Sequence, residues 1–276
     1  MKLLILGGSG MAGHTLVRYF RRYTEHAVFY TRRDADDDHA LLLDGRDTEQ
    51  LDRIVHVIRP QVIINAMGIL NDAAEEHPIT AFQVNSLLPH RLKVLADSIG
   101  AKVIHISTDC VFLGDKGRYA EADHPDGQSM YAITKSLGEI RNHPVHLTIR
   151  TSIIGPQIRP QGIGLYAWLM RQTGSVSGYK QVWWNGVTTL ELSKAIHYYM
   201  DRPVAGLIHL TAPCPITKCD LLVQLAIAFR REDLVIVPQD YPILDRTLIN
   251  TRADADYTVP EYSRMLRALA EWVGRL

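Results

Sequence analysis

The chain opens on Lys2-Leu-Leu-Ile-Leu-Gly7-Gly-Ser-Gly10-Met-Ala-Gly13-His14, and this stretch restricts the folds open to it more than any other. A short apolar run ends in glycines at Gly7, Gly10 and Gly13, and a helix-forming segment follows at once. The spacing predicts a buried strand, a tight turn and a helix start. One glycine lets the chain turn sharply, a second lets backbone approach a pyrophosphate with no Cβ in the way, and a third seats the helix close on the sheet. The helix start then offers N–H groups and partial positive charge to an anion. Ser9, Met11 and Ala12 lie within the turn and join Gly7, Gly10 and Gly13 as candidate cofactor-binding residues.

Strands and helices alternate from there. Residues 11–23 read as a helix burying Leu16, Val17 and Phe20, and 27–31 as a second strand ending at Arg32 and Arg33. An acid at that point would bind the ribose 2′-OH of NAD, whereas arginine suits the 2′-phosphate of NADP. NADPH is therefore expected, with NADH the alternative. The acidic run 34–38 competes for either arginine. Residues 41–47 read as a short third strand closing on Asp44-Gly45, 48–59 as a helix ended by Pro60, and 62–65 as an apolar strand buried on both faces. That strand leads into Ala66-Met67-Gly68, a small-residue turn for a cofactor to lie over.

A helical region over 72–99, broken near Pro78, carries Asn85. The strand 102–107 delivers Ser107-Thr108-Asp109-Cys110-Val111-Phe112 to its carboxyl end, the edge at which open α/β sheets bind ligands. After a loop to about 128, Ser129 caps a helix carrying Tyr131 and Lys135, and 145–150 is the sixth strand. The order predicts an α/β fold, a doubly wound parallel sheet of Rossmann type over 1–155. A smaller mixed α/β substrate lobe over 156–276 is woven with returns to the first unit. In it we expect a loop over 155–164, helices over 165–172, 190–200 and 216–230, strands over 206–211 and 234–237, and a mixed segment 176–185. A last amphipathic helix puts Met265, Leu269, Trp272 and Leu276 on one face.

Lys plus Arg and Asp plus Glu number 30 each, so no basic excess points to nucleic acid or a membrane surface. No apolar run nears the ~18 residues of a membrane span. The run 3–6 is too short for the core of a signal peptide. Cys110, Cys214 and Cys219 form neither a disulfide framework nor a metal-ligand pattern, so no metal is expected and reduced thiols point to the cytoplasm. A homodimer is compatible with the chain, though no feature demands one.

Tyr131 and Lys135 stand four apart, on one face of a helix. A free phenol ionises near 10. A neighbouring ammonium, together with the positive nicotinamide ring of an oxidised cofactor, favours the phenolate, so a tyrosine with a lowered pKa is expected, one that donates a proton to a carbonyl oxygen as hydride reaches the carbon. Thr108 supplies a hydroxyl to fix that oxygen.

These residues carry a resemblance. The turn from Gly7 to Gly13, Asn65-Ala-Met-Gly68, Ser107-Thr-Asp109, Tyr131-x-x-x-Lys135 and Arg150-Thr-Ser152 are similar to motifs of the extended short-chain dehydrogenase/reductases. Pro60-Gln-Val-Ile-Ile-Asn-Ala66, Ser107-Thr-Asp-Cys-Val-Phe112 and Ile149-Arg-Thr-Ser152 resemble more closely the dTDP-4-dehydrorhamnose reductase branch, which reduces the 4-keto group of a nucleotide-linked deoxysugar. The match covers most of the first 155 residues. It thins beyond, where Gly186-Val-Thr-Thr-Leu-Glu-Leu192 resembles part of the substrate lobe. It implies a nucleotide-sugar substrate, a role in surface polysaccharide synthesis, and Thr108, Tyr131 and Lys135 as the catalytic set, with Tyr131 and Lys135 also at the cofactor, where Lys135 holds the ribose. It also implies Asn85 as the helix asparagine that supports the lysine through water, and Asp44 as the acid that contacts adenine. Ser107 joins the cofactor residues, while Asp109, Cys110, Val111 and Trp184 are expected at the substrate. One departure stands out: the family has tyrosine where this chain has Cys110, so the sugar itself is expected to differ.

Two other readings share these motifs. Dehydratases of this fold place an Asp-Glu pair after the threonine, and here Asp109 is followed by Cys110; epimerases of this fold retain an oxidised cofactor. A non-catalytic, NADP-binding regulatory subunit is the third reading, because the regulatory subunit of methionine adenosyltransferase resembles the same branch.

Overall fold

A computed structural model describes residues 1–34, 37–158, 162 and 164–274. Seven parallel strands form its central sheet: β1 (Lys2–Leu6), β2 (Ala27–Arg32), β3 (Leu41–Leu42), β4 (Val62–Asn65), β5 (Lys102–Thr108), β6 (Leu147–Thr151) and the later strand Gly206–His209. Their order across the sheet is Gly206–His209, β6, β5, β4, β1, β2, β3. The chain builds outward from β1 in one direction, then returns to β1 and builds outward in the other.

Alternation along each strand splits the core in two. Leu3, Ile5, Ile64, Ile104 and Ile149 face helices α1 (Met11–Tyr23) and Thr189–Met200, whereas Leu4, Leu6, Ile63 and Val103 face helices Thr48–Ile58 and Leu88–Ile99. Register is fixed by these buried sets, with Leu3 opposite Val28 and Val62, and Ile106 opposite Ile149. Local chemistry ends the helices. Asp47 caps the second through Gln50 N–H at 2.9 Å, and Arg59, in the left-handed region at φ +48°, stops it before Pro60.

Three segments differ from the sequence expectation. The third strand shrinks to Leu41–Leu42. The long helical region breaks at Pro78 as expected, but Phe82–Leu87, with Asn85 inside it, takes a wider π-helical turn. The helix expected over 216–230 starts at Lys218, because Thr217 Oγ1 accepts from Asp220 N–H at 3.0 Å and caps it there. Ile216–Thr217 instead pairs antiparallel with Trp184 and Trp183. The mixed segment resolves into strands Gly174–Tyr179 and Val182–Trp184, the first paired in parallel with Leu234–Gln239. Met265, Leu269 and Trp272 of helix Tyr262–Val273 are buried as expected, while Leu276 lies outside the described residues, as do parts of the 34–38 run and of the 155–164 loop. Among the described residues no helix is long and apolar enough to cross a membrane.

Candidate active site

The site forms at the carboxyl ends of β1, β4 and β5. Gly7 leaves β1 with φ +79°, which glycine adopts without strain. Gly13 has no room for a Cβ, which would collide with the Gly7 carbonyl. Helix α1 begins at Gly10 with no side-chain cap and no acid in its first turn, so its leading N–H groups are left for an anion. A cleft of about 500 Å³ opens over this turn. Gly7, Ser9, Gly10 and Met11 line one side, Ala66, Met67 and Gly68 the next, and Thr31, Arg32, Arg33 and Asp44 the far end. It sits where the strand order reverses between β1 and β4, the place at which a doubly wound sheet takes a dinucleotide. Ala12 and Gly13 lie buried beneath the turn and support it rather than line the cleft.

The two arginines differ. Arg32 pairs with Asp34 at 2.6 Å and Asp37 at 3.6 Å, so the acidic run engages it. Arg33 lines the cleft and forms no ion pair among the described residues. Asp44 is held at about 2, first by hydrogen bonds from Arg46, whose Nε and Nη2 lie 3.0 and 2.7 Å from it, so it remains a carboxylate.

Tyr131 and Lys135 sit one turn apart on helix Met130–Leu137, capped by Ser129 Oγ, which accepts from Ala132 N–H at 3.1 Å. The Tyr131 phenol is buried near Thr108, Cys110 and Asp109, each of which acts on its charge. Thr108 Oγ1 also donates to Asp109 Oδ1 at 3.2 Å and accepts from Cys110 N–H at 3.1 Å. The Lys135 ammonium by itself does not lower the phenol. Burial pushes Tyr131 above its usual value, with Cys110 and Asp109 adding and Thr108 opposing. The reason is geometric: Lys135 Nζ is turned into the sheet, where it donates to the Ile106 carbonyl at 2.7 Å and lies 3.4 Å from His105 Nε2. Burial brings Lys135 down to about 8.

A polar string runs from the cleft to that lysine. Met67 N–H donates to Asn65 Oδ1 at 3.1 Å, which leaves Asn65 Nδ2 to donate to His105 Nδ1, also at 3.1 Å. A neutral imidazole that accepts at Nδ1 carries its proton on Nε2, facing Lys135. Burial keeps fully enclosed His105 well below 6.5, and hence neutral.

Four of the residues expected at the site make contacts within the protein. The Asn85 side chain spends its amide on Ile69 (Oδ1 accepts from N–H at 2.8 Å, Nδ2 donates to the carbonyl at 2.9 Å) and on Thr134 Oγ1 at 3.0 Å, clamping the turn after β4 to the Tyr131 helix. Ser107 shares a face of β5 with His105, and its Oγ donates to buried Glu139 at 2.8 Å. Glu139 in turn accepts from Arg150 Nε at 2.8 Å and Nη2 at 2.6 Å. Val111, 1% exposed, packs with Phe112, Tyr119 and Leu248. Trp184, 4% exposed, lies in the core against Tyr262, whereas Trp183 is the exposed ring. Cys110 remains half-open at the corner, its thiol raised by burial to about 11.

Asp97, His143 and His146 cluster with spacing that could hold a metal ion. Their hydrogen bonds argue otherwise. His143 Nδ1 accepts from Val145 and His146 N–H, and His146 Nδ1 from Val103 N–H, so each neutral ring carries its proton on Nε2 and directs it at Asp97. His14, His105, His146 and His209 are all buried, and burial is the first cause holding each below 6.5. The unfolded chain takes up protons that the folded chain refuses. Stability is therefore fully present above about 6.5 and drains as pH falls below it, by up to about 1.4 kcal/mol per pH unit for each histidine. Denaturant unfolding at pH 7.5 and pH 5.5 measures this; equal stabilities would contradict it.

Comparison with known proteins follows the same geometry. The model of a family described as RmlD substrate binding domain matches residues 1–162. The chain belongs to the RmlD substrate binding domain family. A dTDP-4-dehydrorhamnose reductase of Streptomyces griseus is 33% identical over 138 residues, 49% of this chain and 43% of that protein. Methionine adenosyltransferase 2 subunit beta of Bos taurus is 32% identical over 142 residues, 50% of this chain and 41% of that protein. The aligned stretch thus spans less than half the length of these curated relatives. A crystal structure of dTDP-4-dehydrorhamnose reductase from Bacillus anthracis in complex with NADP superposes with a TM-score of 0.82 at 19% identity, covering 97% of this chain and 98% of that one.

In this RmlD family member, sequence reading missed Lys218 and Arg246. Arg246 Nη1 reaches within 3.7 Å of Cys110 Sγ, and Lys218 Nζ stands 4.9 Å over the Trp184 ring. Both oppose the burial that raises the carboxyl of Asp109. Neither belongs to a local motif. His105 did leave a trace, as one polar residue in the middle of an otherwise apolar strand.

Proposed function

We propose that this protein is an NADPH-dependent reductase of a carbonyl on a nucleotide-activated sugar, of the 4-keto-deoxysugar kind used in surface polysaccharide synthesis. The observation that carries the reading is the buried Tyr131 near Thr108 at the carboxyl end of β5, with Lys135 one turn along the same helix and a cleft of about 500 Å³ over the glycine turn. The uncapped start of α1 and the open turn at Gly7 fit a pyrophosphate, and Arg33 fits a 2′-phosphate. NADPH, when bound, supplies the hydride. Thr108 fixes the carbonyl oxygen, and Tyr131, kept protonated by its burial, gives that oxygen a proton as charge develops on it. The relatives named as reductases support this reading.

Calorimetry with NADPH and NADH, followed by a panel of keto-sugar nucleotides, tests it. Arg33→Ala should weaken NADPH by about 10–100-fold, the loss of one charge-assisted contact, while leaving NADH unchanged. Arg32→Ala should cost less, because Arg32 is already paired with Asp34 and Asp37. Binding of neither cofactor would remove the reductase reading.

The identity to methionine adenosyltransferase 2 subunit beta favours a second reading, a cofactor-binding regulatory subunit. Recovery of a partner enzyme by affinity capture, with no turnover across the panel, would select it.

A further inference from the structure

The partly buried arginines of this molecule are generally matched: Arg32, Arg141, Arg150, Arg231 and Arg252 each meet a carboxylate. Two cations at the catalytic corner are not. Among the described residues Lys218 and Arg246 form no ion pair, and Lys218 Nζ makes no hydrogen bond, resting only over the Trp184 ring at 4.9 Å. Arg246 donates from Nε to the Leu113 carbonyl at 3.3 Å and extends Nη1 to 3.7 Å from Cys110 Sγ. The nearby carboxylate is Asp109, whose Oδ1 is already engaged by the Thr108 hydroxyl at 3.2 Å and the Cys110 thiol at 3.7 Å. Two cations against one carboxylate leave the corner with an excess positive charge, partly shielded from water.

We propose that Lys218 and Arg246 form an anion subsite beside Tyr131, and that the substrate places a carboxylate there, on the sugar ring next to the carbonyl that is reduced. This rests on the nucleotide-sugar reading. The position selects the anion. Arg246 touches Cys110, Cys110 N–H is bonded to Thr108, and both Cys110 and Thr108 act on the buried Tyr131 phenol, so the charge lies one side chain from the proton donor. In a hexopyranose the diphosphate on C1 is across the ring from a C4 carbonyl, whereas a carboxylate carried on C5 is its neighbour. The small Cys110 leaves that space to the guanidinium, where the resembled family has a tyrosine.

Calorimetry on the full chain with NADPH present, using UDP-glucuronate and UDP-glucose as probes, tests the subsite. These share one diphosphate and differ in the carboxylate. The wild type should bind the acidic sugar nucleotide about tenfold tighter. In Arg246→Leu and Lys218→Met that ratio should collapse to about one, with melting temperature and NADPH affinity unchanged as controls for folding. A wild-type ratio near one overturns the proposal. So does a loss of affinity in the variants that is equal for UDP-glucuronate, UDP-glucose and UDP, since the cations would then hold the diphosphate. If NADPH binds but none of the three nucleotides does, uridine nucleotides are excluded as ligands, and free glucuronate against glucose in thermal melts decides the subsite. A glucuronate-specific stabilisation lost in both variants upholds it, and no stabilisation overturns it.

Discussion

Tyr131→Phe should lower turnover on a reducible keto-sugar nucleotide by about 10²–10⁴-fold, the usual contribution of a positioned general acid. The phenylalanine keeps the ring and loses only the hydroxyl near Thr108 and Cys110. NADPH affinity should be unchanged, since the cleft over Gly7 to Met11 is lined without it. The phenol is raised by burial and stays protonated across the neutral range, so its proton is available until the carbonyl oxygen begins to charge. Initial rates of NADPH oxidation beside calorimetric NADPH affinity separate the two effects. A variant that keeps full turnover would show that another group delivers the proton.

The second large effect concerns stability. Arg150 and Glu139 are wholly buried side chains joined by two hydrogen bonds, with His209 Nε2 accepting from Arg150 Nη1 at 3.0 Å. Burial by itself would raise the Glu139 carboxyl, but the bonds from Arg150 overcome it and hold the group below its ordinary range. Arg150→Met removes the buried counter-charge and leaves the Glu139 carboxylate with Arg141 as its counter-charge, whose Nη2 lies 2.7 Å from it. Because that pair remains, the loss should fall toward the lower end of the about 3–5 kcal/mol that breaking a buried pair costs. Denaturant unfolding should show the loss, and replacing Glu139 by Met as well should recover much of it, because the charge then left over is that of Arg141, which reaches solvent. An Arg150→Met protein as stable as the wild type would rule out a contribution from the pair.

What could be read from the sequence was local. The run ending at Gly7, the alternation of strands with amphipathic helices and the Ser129 cap are set by neighbours in the chain, and they emerge as expected. The placement of Tyr131 and Lys135 on one helix face follows from spacing alone. The direction of the Lys135 ammonium does not, because the Ile106 carbonyl and His105 reach it from another element. Ser107 was recoverable in principle, since alternation puts it on the face of Val103 and His105. The wider turn at Phe82–Leu87 was not, for it accompanies the approach of Gly138, at which a Cβ would strike the Asn85 carbonyl. Lys218 and Arg246 come to Cys110 from far along the chain, out of a helix start and a loop with no periodicity to mark them.

The strand Gly206–His209, which flanks β6, comes from late in the chain, after helix Thr189–Met200. During synthesis the glycine turn and β1 to β6 emerge first. Until residue 209 has left the ribosome, β6 offers a bare edge of N–H and C=O groups, and Arg150 lacks the imidazole that later accepts from it. The half of the molecule that holds the glycine turn is thus the half most exposed to mispairing with other nascent chains, and its safety depends on how soon the later half arrives.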